Sequence, residues 1–327
     1  MTAPESPEPF PLFDRFPALS SVPRVRLCRL PSPVERVEVP GEGEFWIKRD
    51  DLNSPVCGGN KARSLEFLLG GLKTGDTVVT VGGAGSTHVL CTAIHAASIG
   101  VRVEAMRWRH AMNPVAEKVD ARVTTVTGRR SALYAPLSIL HAGFYAARRR
   151  ARLIPIGGST PLGALGHVNA ALELAGQVER MDLPRPDSVI VPLGSGGTTA
   201  GLLLGFAIAG LPITVVGARV GPRLFVNRSA VLRLARRTAA LIGRITGESL
   251  PRIDPSRLRI VHDVYGGAYG RSLPRASGAA AILQTSAGIG LDDTYSAKAW
   301  VAALDEVRRS KGTTLFWLTF DARCLTN

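Results

Sequence analysis

Apolar runs and helical stripes alternate regularly along this chain. Residues 44–48 read as a short strand. Residues 61–72 carry Leu65, Leu68, Leu69 and Leu72, the stripe of a helix with one buried face, and Gly70-Gly71 loosens its end. Residues 77–81 form an apolar strand, then comes Gly82-Gly83-Ala84-Gly85-Ser86-Thr87-His88, then a small-residue helix over 89–98 closed by Gly100. Residues 101–108, 121–126 and 152–156 read as further strands. A long helix covers about 164–179, and 188–193 is a strand before a second glycine loop. Residues 223–257 read as helical and arginine-rich, and 315–320 as the last buried strand. The β, α, β, α order predicts an α/β fold of mostly parallel sheets with helices on both faces. Two such sheets fit 327 residues, with the tight turn at 157–163 as the return crossing between them.

Ser188 to Ala218 holds no charged residue, longer than the ~20 residues that span a bilayer. Pro192, Gly194, Gly196, Gly197, Gly210 and Pro212 divide it into strand, turn, helix and strand, so a buried βαβ unit is expected and a membrane span is not. The net charge is +14, and only six of the 40 basic residues are lysines. That surplus suits either a polyanion-binding surface or an arginine-favouring codon bias spread over solvated faces. No aromatic residues interleave with the runs at 148–152 and 233–237 as stacking platforms would require, so nucleic acid is not the expected partner. The cysteines at 28, 57, 91 and 324 form no C-x-x-C pair, and the first 20 residues read as a loose acidic, proline-rich tail without an apolar signal segment. Both suit a cytoplasmic protein. The six histidines lack metal-ligand spacing, so no metal site is expected.

Three segments carry candidate chemistry. After the strand at 188–193 comes Gly194-Ser195-Gly196-Gly197-Thr198-Thr199 and an apolar helix, where backbone amides and the helix dipole can hold a phosphate. This is neither a P-loop nor a G-x-G-x-x-G fingerprint, and from the loop alone a phosphate cradle and a tight packing turn are equally good readings. Cys57-Gly58-Gly59-Asn60-Lys61 places a lysine at a helix start behind two glycines, where desolvation and the positive helix end lower its pKa and make the amine nucleophilic toward an aldehyde. Gly82 to His88 offers a second helix start for a carboxylate through Ser86 and Thr87.

Together with IKRDDL, GGNKAR, VGGAGSTH, IPIGGSTPLGALGHVNAALEL, VPLGSGGTTAGLLLG, YGGAYG and LDDTYSAKAW, these segments resemble, in order from about Phe45 to Phe320, the fold type II pyridoxal-phosphate enzymes. Within them the likeness is to the D-cysteine desulfhydrase and 1-aminocyclopropane-1-carboxylate deaminase family. The resemblance implies a tryptophan synthase β-like fold of two α/β domains, a large discontinuous one at 21–66 and 167–327 and a small one at 67–166, with the cofactor between them in a homodimer. It implies pyridoxal 5'-phosphate held covalently by Lys61, with its phosphate on Gly194, Ser195, Gly196, Gly197 and Thr198. Ser86, Thr87 and His88 would meet the substrate carboxylate and the cofactor's phenolic oxygen. Tyr269 and Tyr295 match two active-site tyrosines, and Ser296 and Thr319 are candidates for the pyridine nitrogen.

Several residues depart from the family pattern. Thr87 replaces an asparagine, Ser64 stands where a second lysine often helps to bind phosphate, and Leu318-Thr319-Phe320-Asp321 lacks the paired glycines of the family. On the family's backbone path Phe320 and Asp321 would crowd the cofactor. Ser296, where the deaminases as a rule carry a glutamate, favours β-elimination from a small amino acid, giving pyruvate, ammonia and sulfide, over cyclopropane ring opening. A biosynthetic relative with another small amino-acid substrate, a non-catalytic descendant that binds phosphate, and a polyanion-binding protein are the alternatives.

Overall fold

A computed structural model of the chain describes residues 10–110, 112–127 and 134–325. In chain order the elements are α1 (Pro11–Arg15), β1 (Val34–Val39), β2 (Gly43–Arg49), α2 (Asn60–Leu68), β3 (Thr77–Gly83), α3 (Thr87–Ser98), β4 (Arg102–Trp108), α4 (Pro114–Thr127), α5 (Ala135–Arg149), β5 (Arg152–Ile154), α6 (Pro161–Glu179), β6 (Ser188–Leu193), α7 (Gly197–Ile208), β7 (Thr214–Arg219), α8 (Arg228–Thr246), β8 (Leu258–Val261), α9 (Pro274–Ala287), α10 (Ser296–Arg309) and β9 (Thr314–Leu318). A six-stranded sheet runs β1-β2-β9-β6-β7-β8, and a three-stranded sheet runs β4-β3-β5. Among these pairings β1 with β2 is antiparallel and the rest are parallel.

The central strands are apolar without a break because both faces are covered. In β6, Ile190 faces a core with Phe45, Trp300 and Phe316, while Val189, Val191 and Leu193 face another with Leu202, Phe206 and Trp317. Helices α9 and α10 cover the first face, and α6, α7 and α8 the second. The smaller sheet repeats the scheme: Val78 packs toward α2, α3 and α4, and Val79 and Val81 toward α5. The uncharged stretch from 188 to 218 is β6, α7 and most of β7, and no helix among the described residues is long and apolar enough to cross a membrane.

Helix α6 fixes the geometry that matters for chemistry. A Cβ on Gly166 would lie 2.1 Å from the Arg63 carbonyl oxygen in α2, and one on Gly201 in α7 would lie 2.8 Å from that of Ala164 in α6. With only hydrogen at both crossings, α6 touches α2 and α7 backbone to backbone and holds their two N-termini side by side.

Two expectations need correction. Residues 121–126 are not a strand but the second half of α4: Ala116, Val119 and Val123 are its buried residues, at a spacing of three and four, and the β-branched run around Val123 masks that helical stripe. Nor is the N-terminal segment loose throughout. Leu12, Phe16 and Leu19 are fully buried in a cluster with Phe67, Leu165 and Val168, and the Leu12 N–H donates to Asn169 Oδ1 at 3.0 Å. Residues 1–9 of the expected tail lie outside the described residues.

Candidate active site

The lysine loop is built before the helix it opens. Gly59 has φ +125°, and a Cβ there would lie 2.3 Å from the Thr319 carbonyl oxygen, so the position admits glycine alone. Asn53 clamps that residue, its Oδ1 accepting the Gly59 N–H at 3.0 Å and its Nδ2 donating to the Gly59 carbonyl at 3.2 Å. Asn60 then reaches in two directions: its N–H donates to the Thr319 carbonyl at 3.0 Å, and its Nδ2 donates to Thr198 Oγ1 at 2.7 Å. Lys61 follows in the first turn of α2, half-buried, its Nζ donating to the Gly157 carbonyl at 3.4 Å. Desolvation lowers its pKa to about 8.

Opposite lies the loop between β6 and α7. Gly196 adopts φ +92° as the residue before α7, and a helix of 12 residues starts at Gly197, so the amides at its N-terminus point into the loop. Ser159, from the turn that follows β5, enters the same loop: its Oγ accepts the Gly197 N–H at 3.0 Å and donates to Ser195 Oγ at 2.7 Å. Thr198 Oγ1, besides its bond from Asn60, lies 3.4 Å from His167 Nε2. Burial keeps His167 well below the ordinary histidine range.

A third group stands where α3 begins. Ser86 precedes the helix, Thr87 and His88 open it, and all three are buried. His88 Nε2 lies 3.2 Å from Thr80 Oγ1, and burial, reinforced by the charge of Lys61, lowers its pKa to about 3, so the ring is neutral. Thr87 stands near enough to Tyr295 to act on its hydroxyl, which shares a short hydrogen bond with that of Tyr269. A Cβ on Gly194 would lie 3.5 Å from Tyr295 Cε1, which brings the tyrosine pair to the mouth of the glycine loop. Burial raises Tyr269 to about 12 and Tyr295 well above the ordinary phenol range, so both remain proton donors.

Lys61, the residues from Gly194 to Thr198, the start of α3 and both tyrosines are thus drawn together through Asn60, Thr198 and Thr87. Ser296 is fully buried at the first position of α10 and is tied to Asp292, whose Oδ2 accepts its N–H at 3.0 Å. Thr319 meets the lysine loop through its backbone. The expectation for Phe320 and Asp321 is corrected: Phe320 packs into the cluster of Leu27, Cys57, Leu65, Cys91 and Cys324, and Asp321 pairs with Arg323 while its N–H donates to the Gly58 carbonyl at 3.2 Å. An antiparallel bridge joins Gly59 to Phe320.

Asn60, Ser159 and His167 were not among the residues singled out in the sequence. All three stand in quoted motifs, GGNKAR and IPIGGSTPLGALGHVNAALEL, but their partners lie 138, 36 to 38 and 31 residues away and no local signal names them. The donor set fits a phosphorylated aldehyde. Amides, hydroxyls and a carboxamide converge at the α7 start to take a phosphate, and an amine of lowered pKa stands one residue from Asn60 to take the aldehyde. Ser64, in the place of a second lysine, donates its hydroxyl to the Lys61 carbonyl at 3.0 Å, so the described cradle is made of dipoles.

Comparisons with known proteins agree with this chemistry. The family model described as pyridoxal-phosphate dependent enzyme matches residues 24–319. The chain is 35% identical over 318 residues to nocardicin C-9' epimerase of Nocardia uniformis subsp. tsuyamanensis, covering 93% of this chain and 94% of the relative. It is 33% identical over 335 residues to D-cysteine desulfhydrase of Serratia proteamaculans (strain 568), covering 94% and 96%. Among solved structures, an ACC deaminase homologue superposes with a TM-score of 0.74 at 27% identity, over 97% of this chain and 95% of the other. The processed form of threonine deaminase isoform 2 from Solanum lycopersicum, at 17% identity and a TM-score of 0.61 over 95% of this chain and 84% of the other, shares the fold.

Proposed function

On the premise that the chain belongs to the pyridoxal-phosphate-dependent enzymes of fold type II, in the 1-aminocyclopropane-1-carboxylate deaminase and D-cysteine desulfhydrase family, we propose that it removes the α-proton of a small amino acid and expels a β-thiolate, as from D-cysteine, giving pyruvate, ammonia and sulfide. When bound, pyridoxal phosphate supplies the electron sink that makes an amino-acid α-proton acidic. The single observation that carries the reading is the junction at Asn60: one residue joins the lysine loop to Thr198 of the phosphate cradle, with the tyrosine pair at the mouth of the same loop.

Each residue then has a task. Lys61 would hold the cofactor, and its Nζ would be the group that accepts the substrate α-proton; an amine with a pKa of about 8 is neutral often enough near neutral pH to do so. The N-terminal amides of α3 with Ser86 and Thr87 bind the substrate carboxylate, with a neutral His88 beside them. Tyr269 and Tyr295, kept protonated by burial, hold a proton for the departing sulfur. Ser296 supports elimination over ring opening, since the residue after Tyr295 has no carboxylate.

A second reading is epimerisation. It is favoured by the 35% identity to an epimerase and needs the same α-proton removed but returned to the opposite face. One panel separates the two. D- and L-cysteine, other small amino acids and the cyclopropane substrate are incubated in deuterated water and assayed for sulfide, 2-oxo acid, ammonia and α-deuterium. Sulfide with pyruvate supports elimination, whereas inverted, deuterated amino acid without 2-oxo acid supports epimerisation. Lys61→Ala abolishes either. Turnover surviving in Lys61→Ala removes the reading.

A further inference from the structure

We propose that Asn113 is a positioning residue that holds the tyrosine pair and the start of α3 in one arrangement. The proposal rests on the reading of Tyr269 and Tyr295 as reacting groups and concerns a residue outside every segment assigned to the site so far.

Asn113 immediately precedes α4 and is buried. Its Oδ1 accepts the Ala116 N–H at 2.7 Å and its carbonyl accepts the Glu117 N–H at 3.0 Å, so it caps the helix. Its Nδ2 has two hydrogens and two partners: the Gly270 carbonyl at 2.7 Å and Thr294 Oγ1 at 3.0 Å. The first partner follows Tyr269 and the second precedes Tyr295, so one carboxamide grips both tyrosine loops at the residue adjoining each ring. Both contacts cross more than 150 residues of chain.

The grip extends to the carboxylate end. A Cβ on Gly85, one residue before Ser86, would lie 2.5 Å from Ala116 Cβ, so the turn leading into α3 rests on the residue whose amide Asn113 caps. His110, three residues upstream, stands edge-on to Tyr269 at 5.0 Å and lies 2.7 Å through Nε2 from the Ala84 carbonyl. His110 and Asn113 together therefore join residues 84–86, 269–270 and 294–295.

The tyrosine loop needs such a hold. Residues 265–270 lie outside helix and strand, and Gly266, Gly267 and Gly270 have φ of +71°, +83° and +77°. Glycines in this region leave a loop a large conformational entropy to lose. Lys298 anchors its first residue, donating from Nζ to the Tyr265 carbonyl at 3.2 Å, and Asn113 anchors its last. The second loop is shaped by Asp292, whose Oδ1 accepts the N–H groups of Thr294 and Tyr295, which leaves the Thr294 hydroxyl as its link to Asn113.

Asparagine and aspartate cap helices equally well, so Asn113→Asp keeps the α4 cap and deletes both donors. Deuterium exchange of the holoenzyme by mass spectrometry is the first measurement. Asn113→Asp is expected to speed exchange about tenfold or more in 265–271 and 292–296, with the first turns of α4 unchanged, whereas Asn113→Ala speeds α4 as well. Thr294→Val, which removes one acceptor, is expected to loosen 292–296 alone. In turnover, kcat for sulfide release from D-cysteine is expected to fall about 10- to 100-fold in Asn113→Asp with KM changed less, as displaced reacting groups require. Unchanged exchange in both loops, or acceleration spread evenly along the chain, overturns the proposal. Should the wild type release no sulfide, the elimination reading fails, and the exchange result still decides the role of Asn113.

Discussion

Arg63 stands two residues beyond Lys61, and replacing it tests how the lysine helix is held. Its guanidinium is 1% exposed and makes five hydrogen bonds: two to Asp50, at 2.8 and 2.7 Å, two to Glu173, at 2.9 and 3.0 Å, and one to Ser32 Oγ at 2.9 Å. Lys48 completes the group, donating to Glu173 at 2.6 Å, Gln177 at 2.6 Å and the Ser32 carbonyl at 2.7 Å. Two cations and two carboxylates balance. Arg63→Met leaves one carboxylate uncompensated in a dry interior, which costs about 3–5 kcal/mol. At about 2.1 cal/mol/K per residue the chain's unfolding entropy is about 0.7 kcal/mol/K, so the melting temperature should fall by about 4–7 °C. The pH dependence gives the stricter test. Although burial pushes Glu173 up, Arg63 and Lys48 hold it down to about 2, so its contribution is whole above the unfolded value near 4.5 and is lost as pH falls through about 2. Without Arg63 only Lys48 opposes burial at Glu173, so its pKa rises, and protonation of the carboxylate as pH falls relieves the penalty. Scanning calorimetry of both proteins from pH 7 to pH 4 should show the gap narrowing, and Arg63→Met/Glu173→Gln should regain at least half of it at pH 7. A fall under about 2 °C at pH 7, or a gap constant down to pH 4, would refute the reasoning.

Asn60→Ala removes the donor that joins the lysine loop to Thr198 and should weaken pyridoxal-phosphate binding about tenfold in an absorbance titration, the worth of one such bond; equal affinity would detach Asn60 from the cradle. In the apoenzyme Lys61, with a pKa of about 8, should react with an amine-selective acylating reagent at a rate whose midpoint lies near pH 8, as peptide mapping would show, and a midpoint above pH 10 contradicts the desolvated setting. The same depression means that the folded state binds fewer protons than the unfolded between about pH 8 and the ordinary lysine range, so apoenzyme stability gains from Lys61 as pH rises through that window, a gain that Lys61→Met should delete. On heparin the arginine-rich surface should be retained weakly and elute at modest ionic strength, and tight retention through a salt series would revive polyanion binding.

What could be read from the sequence followed periodicity. The strands read at 77–81 and 188–193, with the helices that follow their glycine loops, stand out because a run of β-branched and apolar residues, a glycine turn and a helical stripe are each local signals, although β3 itself runs on to Gly83. The lysine loop was legible for the same reason. Residues 121–126 were not, since only one of those six side chains is buried and four of them are β-branched. Lys48, Asp50 and Glu173 look like solvated charges in a linear text, and only the meeting of β2, α2 and α6 makes them one neutral cluster. Asn113 before Pro114 reads locally as a helix cap, but nothing near it signals its hold on the tyrosine loops, because both partners of its Nδ2 arrive from more than 150 residues away.

Those buried charges also bear on the make-up of the proposed phosphate cradle. Arg63, on the same helix as Lys61, and Lys48 are both neutralised by Asp50 and Glu173 in the interior. With serine at position 64, the described cradle offers a phosphate the α7 dipole, backbone amides, Ser159, Ser195, Thr198 and Asn60. A second ammonium beside Lys61 would depress its pKa by repulsion, yet burial alone already brings that amine to about 8. The chain thus separates two tasks that a lysine at position 64 would join. On the proposed reading, charge pairs hold the helix that carries the nucleophile, and neutral dipoles receive the anion.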